Sequence, residues 1–101
     1  MYDEITLVKE VNTQDSIGMW SKTYEERNVL CEVHSVSRSE FFQAGQNGLT
    51  PEFEMTIFAD DYQDERIVKY KGQTYGVYRT YRRDDWIELY VERKAGLVKG
   101  N

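Results

Sequence analysis

One cysteine, one histidine and one proline occur in the 101 residues of the chain. The lone Cys31 excludes a disulfide framework within the chain and every zinc motif built from several cysteines. The lone His34 excludes histidine clusters, so Cys31 and His34 form the one thiol–imidazole pair to weigh. With Pro51 alone and 7 scattered glycines, no linker, repeat or phosphate-cradling loop is visible. A single domain over residues 1–101 is therefore expected. No apolar run approaches the ~18 residues of a membrane span. The N-terminal MYDEITLVKE is acidic and has no apolar signal core. A small soluble domain of a reducing compartment is the expectation, with no membrane partner, metal or cofactor.

Aromatic residues are plentiful: 8 Tyr, 4 Phe and 2 Trp within a chain that is 40% hydrophobic, enough to build a core. The net charge of −5 conceals a split. Residues 1–65 hold 4 basic and 14 acidic side chains, whereas residues 66–101 hold 9 basic and 4 acidic. An acidic balance argues against gripping nucleic acid, which relies on many Lys/Arg–phosphate contacts. The split has two readings: ordinary pairing between two faces of one domain, taken as the simpler, or an acidic face that meets a neighbour's basic face.

The dominant hydrophobic period is two, the mark of half-buried strands. Ile5, Leu7 and Val11 oppose Thr6, Val8 and Glu10. Val29, Cys31 and Val33 oppose Leu30, Glu32 and His34. Phe53, Met55, Ile57 and Ala59 alternate with Glu52, Glu54, Thr56 and Phe58. Residues 66–70 and 74–81 predict a hairpin about Lys71-Gly72, where glycine supplies positive φ. Residues 86–93 give a last strand, with Ile87, Leu89 and Val91 inward, after a break at Asp84-Asp85. Ser37-x-x-Glu40 has capping-box spacing, in which Ser takes the N3 amide and Glu reaches back to the N-cap amide. It predicts a helix over 38–46 through Phe41, Phe42, Gln43 and Ala44, ended by Gly45 and Gly48, with a loop to Pro51. Residues 12–27, with Trp20 and Tyr24, have no clean period and are either a long loop or a strand obscured by Gly18. The expected fold is mainly β: a small antiparallel β-barrel with one short α-helix and a long loop.

Catalytic sets are weak. Cys31 and His34 fall on opposite faces of a strand, which makes Cys31 a small buried hydrophobe and His34 a surface or interface residue. The acidic run Asp60-Asp61-Tyr62-Gln63-Asp64-Glu65 lacks the Gly at position 6 and Glu at position 12 of a calcium loop, carrying Glu65 and Lys71 there, so it reads as a solvated loop. Arg79, Arg82 and Arg83 interleave with Tyr75, Tyr78 and Tyr81. That pattern fits an alternating strand first, a seam with a neighbouring copy's acidic side (Asp60, Asp61) second, and a base-stacking surface third.

The order of motifs resembles a known family. Ile5-Thr6-Leu7 is followed by Gly18 and Trp20, Cys31-Glu32-Val33 with Ser37 and Glu40, Phe41-Phe42-Gln43-Ala44, Arg66-Ile67, Tyr70-x-Gly72-x-x-Tyr75-x-Val77, and Ile87-Glu88-Leu89. Over about residues 4–94 this is similar to the siphophage head-closure proteins, also called head–tail joining, head–tail adaptor or stopper proteins. The resemblance implies a non-enzymatic virion protein, made in the host cytoplasm and monomeric when isolated. It implies a homo-oligomeric, by resemblance dodecameric, ring between a portal/adaptor protein above and a tail completion protein below. Such a ring closes the exit channel after packaging, passes DNA without binding it specifically, and offers the tail its attachment surface. The resemblance places the closure role on the segment from Ser37 to Phe53, with Ser37, Glu40, Phe41, Phe42, Gly45, Asn47, Gly48 and Pro51; the glycines and Asn47 make a flexible loop the expectation. The alternatives are a tail-side completion or adaptor protein and a small nucleic-acid-binding barrel that uses Tyr75, Tyr78, Arg79, Tyr81, Arg82 and Arg83.

Overall fold

Alternating burial turns the chain into six antiparallel strands: β1 (Tyr2–Gln14), β2 (Trp20–Ser35), β3 (Pro51–Phe58), β4 (Ile67–Tyr70), β5 (Gln73–Arg83) and β6 (Trp86–Arg93). One helix, α1 (Arg38–Gly45), lies between β2 and β3, and a 3-10 turn (Ala59–Asp61) follows β3. The computed structural model describes residues 2–94. The expected single domain over 1–101 also takes in Met1 and residues 95–101, which lie outside the described residues. The strands close into a barrel in the order β1-β2-β3-β6-β5-β4, as the mainly β expectation required.

The register explains an unusual outline. β1 and β2 pair along their whole length, from Tyr2↔Glu32 to Gln14↔Trp20. β1 meets β4 only over Thr6–Val8, and β2 meets β3 only over Glu32–Ser35. Beyond Val8, β1 and β2 therefore leave the barrel as a two-stranded ribbon, and the molecule measures 51 × 30 × 23 Å. Residues 12–25 belong to this ribbon and its turn, while Glu26 and Arg27, opposite Val8 and Leu7, are already in the barrel wall.

Inside the barrel, Ile5 and Leu7 meet Val29, Cys31, Met55, Ile57, Val68, Leu89 and Val91. Phe53 packs edge-on against Tyr70 and Tyr75, each at 5.6 Å between ring centroids. Burial spreads past the expected face at two places. Val8 is buried at the β1–β4 seam opposite Ile67, and Tyr90 is buried because the Arg79 guanidinium lies over its ring. The β4–β5 hairpin turns on Lys71 (φ 49°) and Gly72 (φ 77°), both left-handed as a type I′ turn demands.

The acidic run after β3 departs from the expected solvated loop at Glu65, which is 2% exposed. Its carboxylate accepts from the Arg27 guanidinium at 2.8 Å and from the Gln63 amide at 2.7 Å. Arg27 also donates to the Asp61 carbonyl, and the Tyr62 hydroxyl donates to the Glu65 carbonyl at 2.6 Å. Burial pushes the Glu65 carboxyl up, but Arg27 and the backbone amides outweigh it and hold the group below the usual carboxylate range. A buried charge is tolerated when it is paired and hydrogen-bonded in this way.

Ile57 and Leu89 are fully buried, so Ile57→Ala or Leu89→Ala costs about 2–5 kcal/mol in denaturant unfolding. Leu30, 66% exposed on the outer face of β2, changes stability by less than about 0.5 kcal/mol when truncated to Ala. Arg27→Ala leaves Glu65 buried and unpaired and costs about 3–5 kcal/mol.

Candidate functional site

The segment from Ser37 to Pro51 is built as a short helix and a tight turn. Ser37 caps the helix, its Oγ accepting from the Glu40 amide at 3.1 Å. The reciprocal half of the capping box is replaced by a longer reach. Glu40 and Ala44, one helical turn apart, form the buried side of α1. From there the Glu40 carboxylate crosses to β5, where the Tyr78 hydroxyl donates to it at 2.6 Å and Arg79 donates through Nε and a terminal nitrogen. The same guanidinium covers the Tyr90 ring at 3.9 Å. The Tyr90 hydroxyl then donates to Glu88 at 2.7 Å, and Glu88 pairs with Arg83 at 3.1 Å. A continuous polar chain thus runs from the helix cap to the β5–β6 turn.

The electrostatics follow from these contacts. The Arg79 hydrogen bond holds the Glu40 carboxyl below its usual range against the opposing effect of burial, and Tyr78 adds to it. Burial and the Glu88 hydrogen bond push the Tyr90 hydroxyl up to about 12. Burial, with Glu88 nearby, raises the Glu54 carboxyl.

Helix α1 turns its other side to solvent. Phe41 and Phe42 are 53% and 63% exposed, with ring centroids 6.3 Å apart in an edge-on arrangement. With Val36, Ser37 and Arg38 they line a shallow cleft of about 610 Å³. After Gly45 the chain reverses through bonds from the Asn47 and Leu49 amides to the Ala44 carbonyl, and from the Gly48 amide (φ 79° at Gly48) to Gly45. The Asn47 side chain donates to the Gln43 carbonyl at 3.3 Å, and the Thr50 amide donates to Glu92 at 3.2 Å. Pro51 is buried at the start of β3. The glycine-containing stretch is hydrogen-bonded through this reversal.

The other candidate residues divide. Arg79 is committed to Glu40. Arg82 and Arg83 stand exposed beside the β5–β6 turn, with Arg82 Nε donating to the Asp84 carbonyl. Asp60 and Asp61 line a cleft with Phe58 and Asp85 near that same turn, where the Ala59 amide bonds the Asp85 carbonyl at 2.8 Å. The acidic and basic stretches occupy two contiguous arcs of wall, β1-β2-β3 and β6-β5-β4. Lys69–Glu26 (2.8 Å), Arg79–Glu40 and Arg93–Glu52 (4.0 Å) join the two stretches within one molecule.

The base-stacking surface is not assembled: Tyr75 is in the core, Tyr78 and Arg79 serve Glu40, and Tyr81, Arg82 and Arg83 alone remain free of the barrel interior. Cys31 is buried, its thiol pushed up to about 12 by burial, while His34 lies on the other face with Nε2 at 2.9 Å from Glu32. Among the described residues, no group of three or more His, Cys, Asp or Glu side chains is placed to hold a metal ion, and no helix is long and apolar enough to cross a membrane.

Sequence reasoning missed the ribbon tip, residues 15–19, which presents Ile17 and Met19 to solvent. The signal was present as Asp15-Ser16-Ile17-Gly18, an Asx-turn residue followed by a glycine, here with φ 87°.

Glu40→Gln weakens the clasp by about 1–3 kcal/mol, so amide hydrogen exchange across residues 38–48 speeds up while the barrel amides of β3 and β6 keep their protection. Acid acts in the same direction. Because the folded-state carboxyl is depressed, the clasp's contribution is full above the ordinary carboxylate range and is lost as pH falls through the lowered folded value. In Glu40→Gln that acid response disappears from the helix.

A family model described as phage head completion protein matches residues 1–94. No curated protein matches the chain.

Proposed function

Because the chain belongs to the phage head completion protein family, a family of structural virion proteins rather than enzymes, we propose that it assembles as a ring below the portal, where the Ser37–Pro51 segment of each copy closes the DNA exit and the opposite rim receives the tail. Its role is phage head completion and its place is the virion. The finer reading adds assembly in the host cytoplasm, an adaptor contact above and a tail contact below.

One observation carries the closure role. Helix α1 packs on the barrel through β3, and its charged attachment is a single carboxylate, Glu40, gripped by Tyr78 and Arg79. An element held by so few bonds to a rigid wall has two accessible positions, clasped and released, with its apolar side outward in both. A gate needs that combination. The acidic balance fits as well, since a net charge of −5 per copy lets DNA pass without adhering.

The test is made on particles assembled with Glu40→Gln. The substituted chain is expected to be incorporated, because the barrel core is untouched. Heads filled with DNA are expected to lose it before tails join, seen as an excess of empty heads and a fall in titre of at least tenfold. Full heads and an unchanged titre with the variant incorporated would overturn the closure role of this segment.

A further inference from the structure

Among the described residues, six of the ten large hydrophobic side chains that stand exposed lie on the β1–β2 hairpin: Tyr2, Ile17, Met19, Trp20, Tyr24 and Leu30. Three of them crowd the tip, where Ile17 is 81% exposed. The tip is firmly built. Asp15 Oδ1 accepts from the Ile17 amide at 3.0 Å and the Met19 amide at 2.9 Å. The Asp15 amide donates to the Met19 carbonyl, the Gly18 amide donates to the Asp15 carbonyl, and the Gln14 side chain donates to the Gly18 carbonyl. A loop that presents apolar side chains to water while its backbone is this fully bonded is preorganised, so little conformational entropy is lost when it binds. The six residues from Lys9 to Gln14 at about 3.3 Å each carry the tip roughly 20 Å beyond the barrel.

We propose that this tip docks into the cleft of Val36, Phe41 and Phe42 on a second copy of the chain. The match is chemical on both counts. The tip is apolar and carries one carboxylate, Asp15, whose Oδ1 holds the turn amides. The cleft is apolar and carries one exposed guanidinium, Arg38, at its margin. Trp20 is the kind of large anchor, and Met19 the kind of adaptable filler, that a shallow apolar cleft takes best.

Knob and cleft are different patches of one surface, so the contact is head-to-tail. Repetition of a head-to-tail contact closes into a ring when the rotation allows. The inference rests on the ring reading above and deepens it. Glu40 holds α1 from its barrel side, and the neighbour's tip holds it from its Phe41–Phe42 side, so ring formation latches the closure segment that an isolated copy holds by one clasp.

The experiment places p-benzoylphenylalanine at Ile17, an exposed site, and irradiates assembled particles. The expected product is a covalent dimer of the chain whose cross-linked peptide contains residues 36–42, absent without irradiation. A dimer joined elsewhere, an adduct with another virion protein, or no cross-link from incorporated chain would each overturn the inference while the head-completion reading stands. Complete, tailed particles that lack the chain would remove the reading on which the inference rests.

Discussion

Three residue pairs close the barrel. Thr6, Leu7 and Val8 of β1 meet Lys69, Val68 and Ile67 of β4, and without that short seam the six strands would be an open sheet with two free edges. Its brevity shapes the molecule. Because β4 has four residues and β1 has thirteen, β1 must outrun its partner, and β2, paired to β1 throughout, must follow it into solvent. The ribbon is thus a consequence of how little of β1 the barrel uses. The seam is reinforced where it is shortest. Lys69 reaches Glu26, and Arg27, opposite Leu7 in the ladder, draws the 62–66 segment over the barrel through Glu65.

Two buried carboxylates do the positioning that a larger hydrophobic core would otherwise perform. Glu65 fixes the link between β3 and β4, and Glu40 fixes α1 on β5. They are chemically alike, each less than 10% exposed, each held by an arginine, and each shifted below the usual carboxylate range. Their settings differ in one respect. Arg27 also bonds the Asp61 carbonyl, and Gln63 and Tyr62 add further bonds around Glu65. Arg79 and Tyr78 instead hold an element whose other contacts with the wall are few. One carboxylate secures a link within the barrel, and the other secures the helix that lies against its wall.

The strands were legible because their cause is local: alternation at Phe53–Ala59 and Ile87–Val91 states which side faces the core, and Lys71-Gly72 states where the chain turns. The helix start was legible for the same reason, since Ser37 and the Glu40 amide are three residues apart. The destination of the Glu40 carboxylate was not, because Tyr78 and Arg79 lie 38 and 39 residues on and only the closed barrel brings them near. Glu65 was misread for a related reason. In a run of acids, nothing local distinguishes the one that meets Arg27, again 38 residues away. The ribbon was opaque because both its faces are wet, so Asn12–Gln14 and Trp20–Glu25 carry none of the alternation by which a strand is recognised. The similarity of motif order over residues 4–94 reached the family that the match over 1–94 shows; it did not reach the clasp or the tip, which are relations in space.

A two-stranded ribbon in water presents two unpaired edges, and such edges invite pairing with any other chain. This one is guarded by charge. Lys9, Glu10, Lys22, Glu25 and Glu26 lie along it, with Lys22 and Glu10 bridged at 3.5 Å across the two strands. Charged side chains along an edge must be desolvated when a third strand is added, which disfavours growth by β-addition. The tip carries no such guard: between Asp15 and Lys22 there is no charged side chain. The ribbon therefore discourages contact along its length and permits it at its end. That separation of a protected stem from an apolar end follows from the short β1–β4 seam, which is what creates the stem.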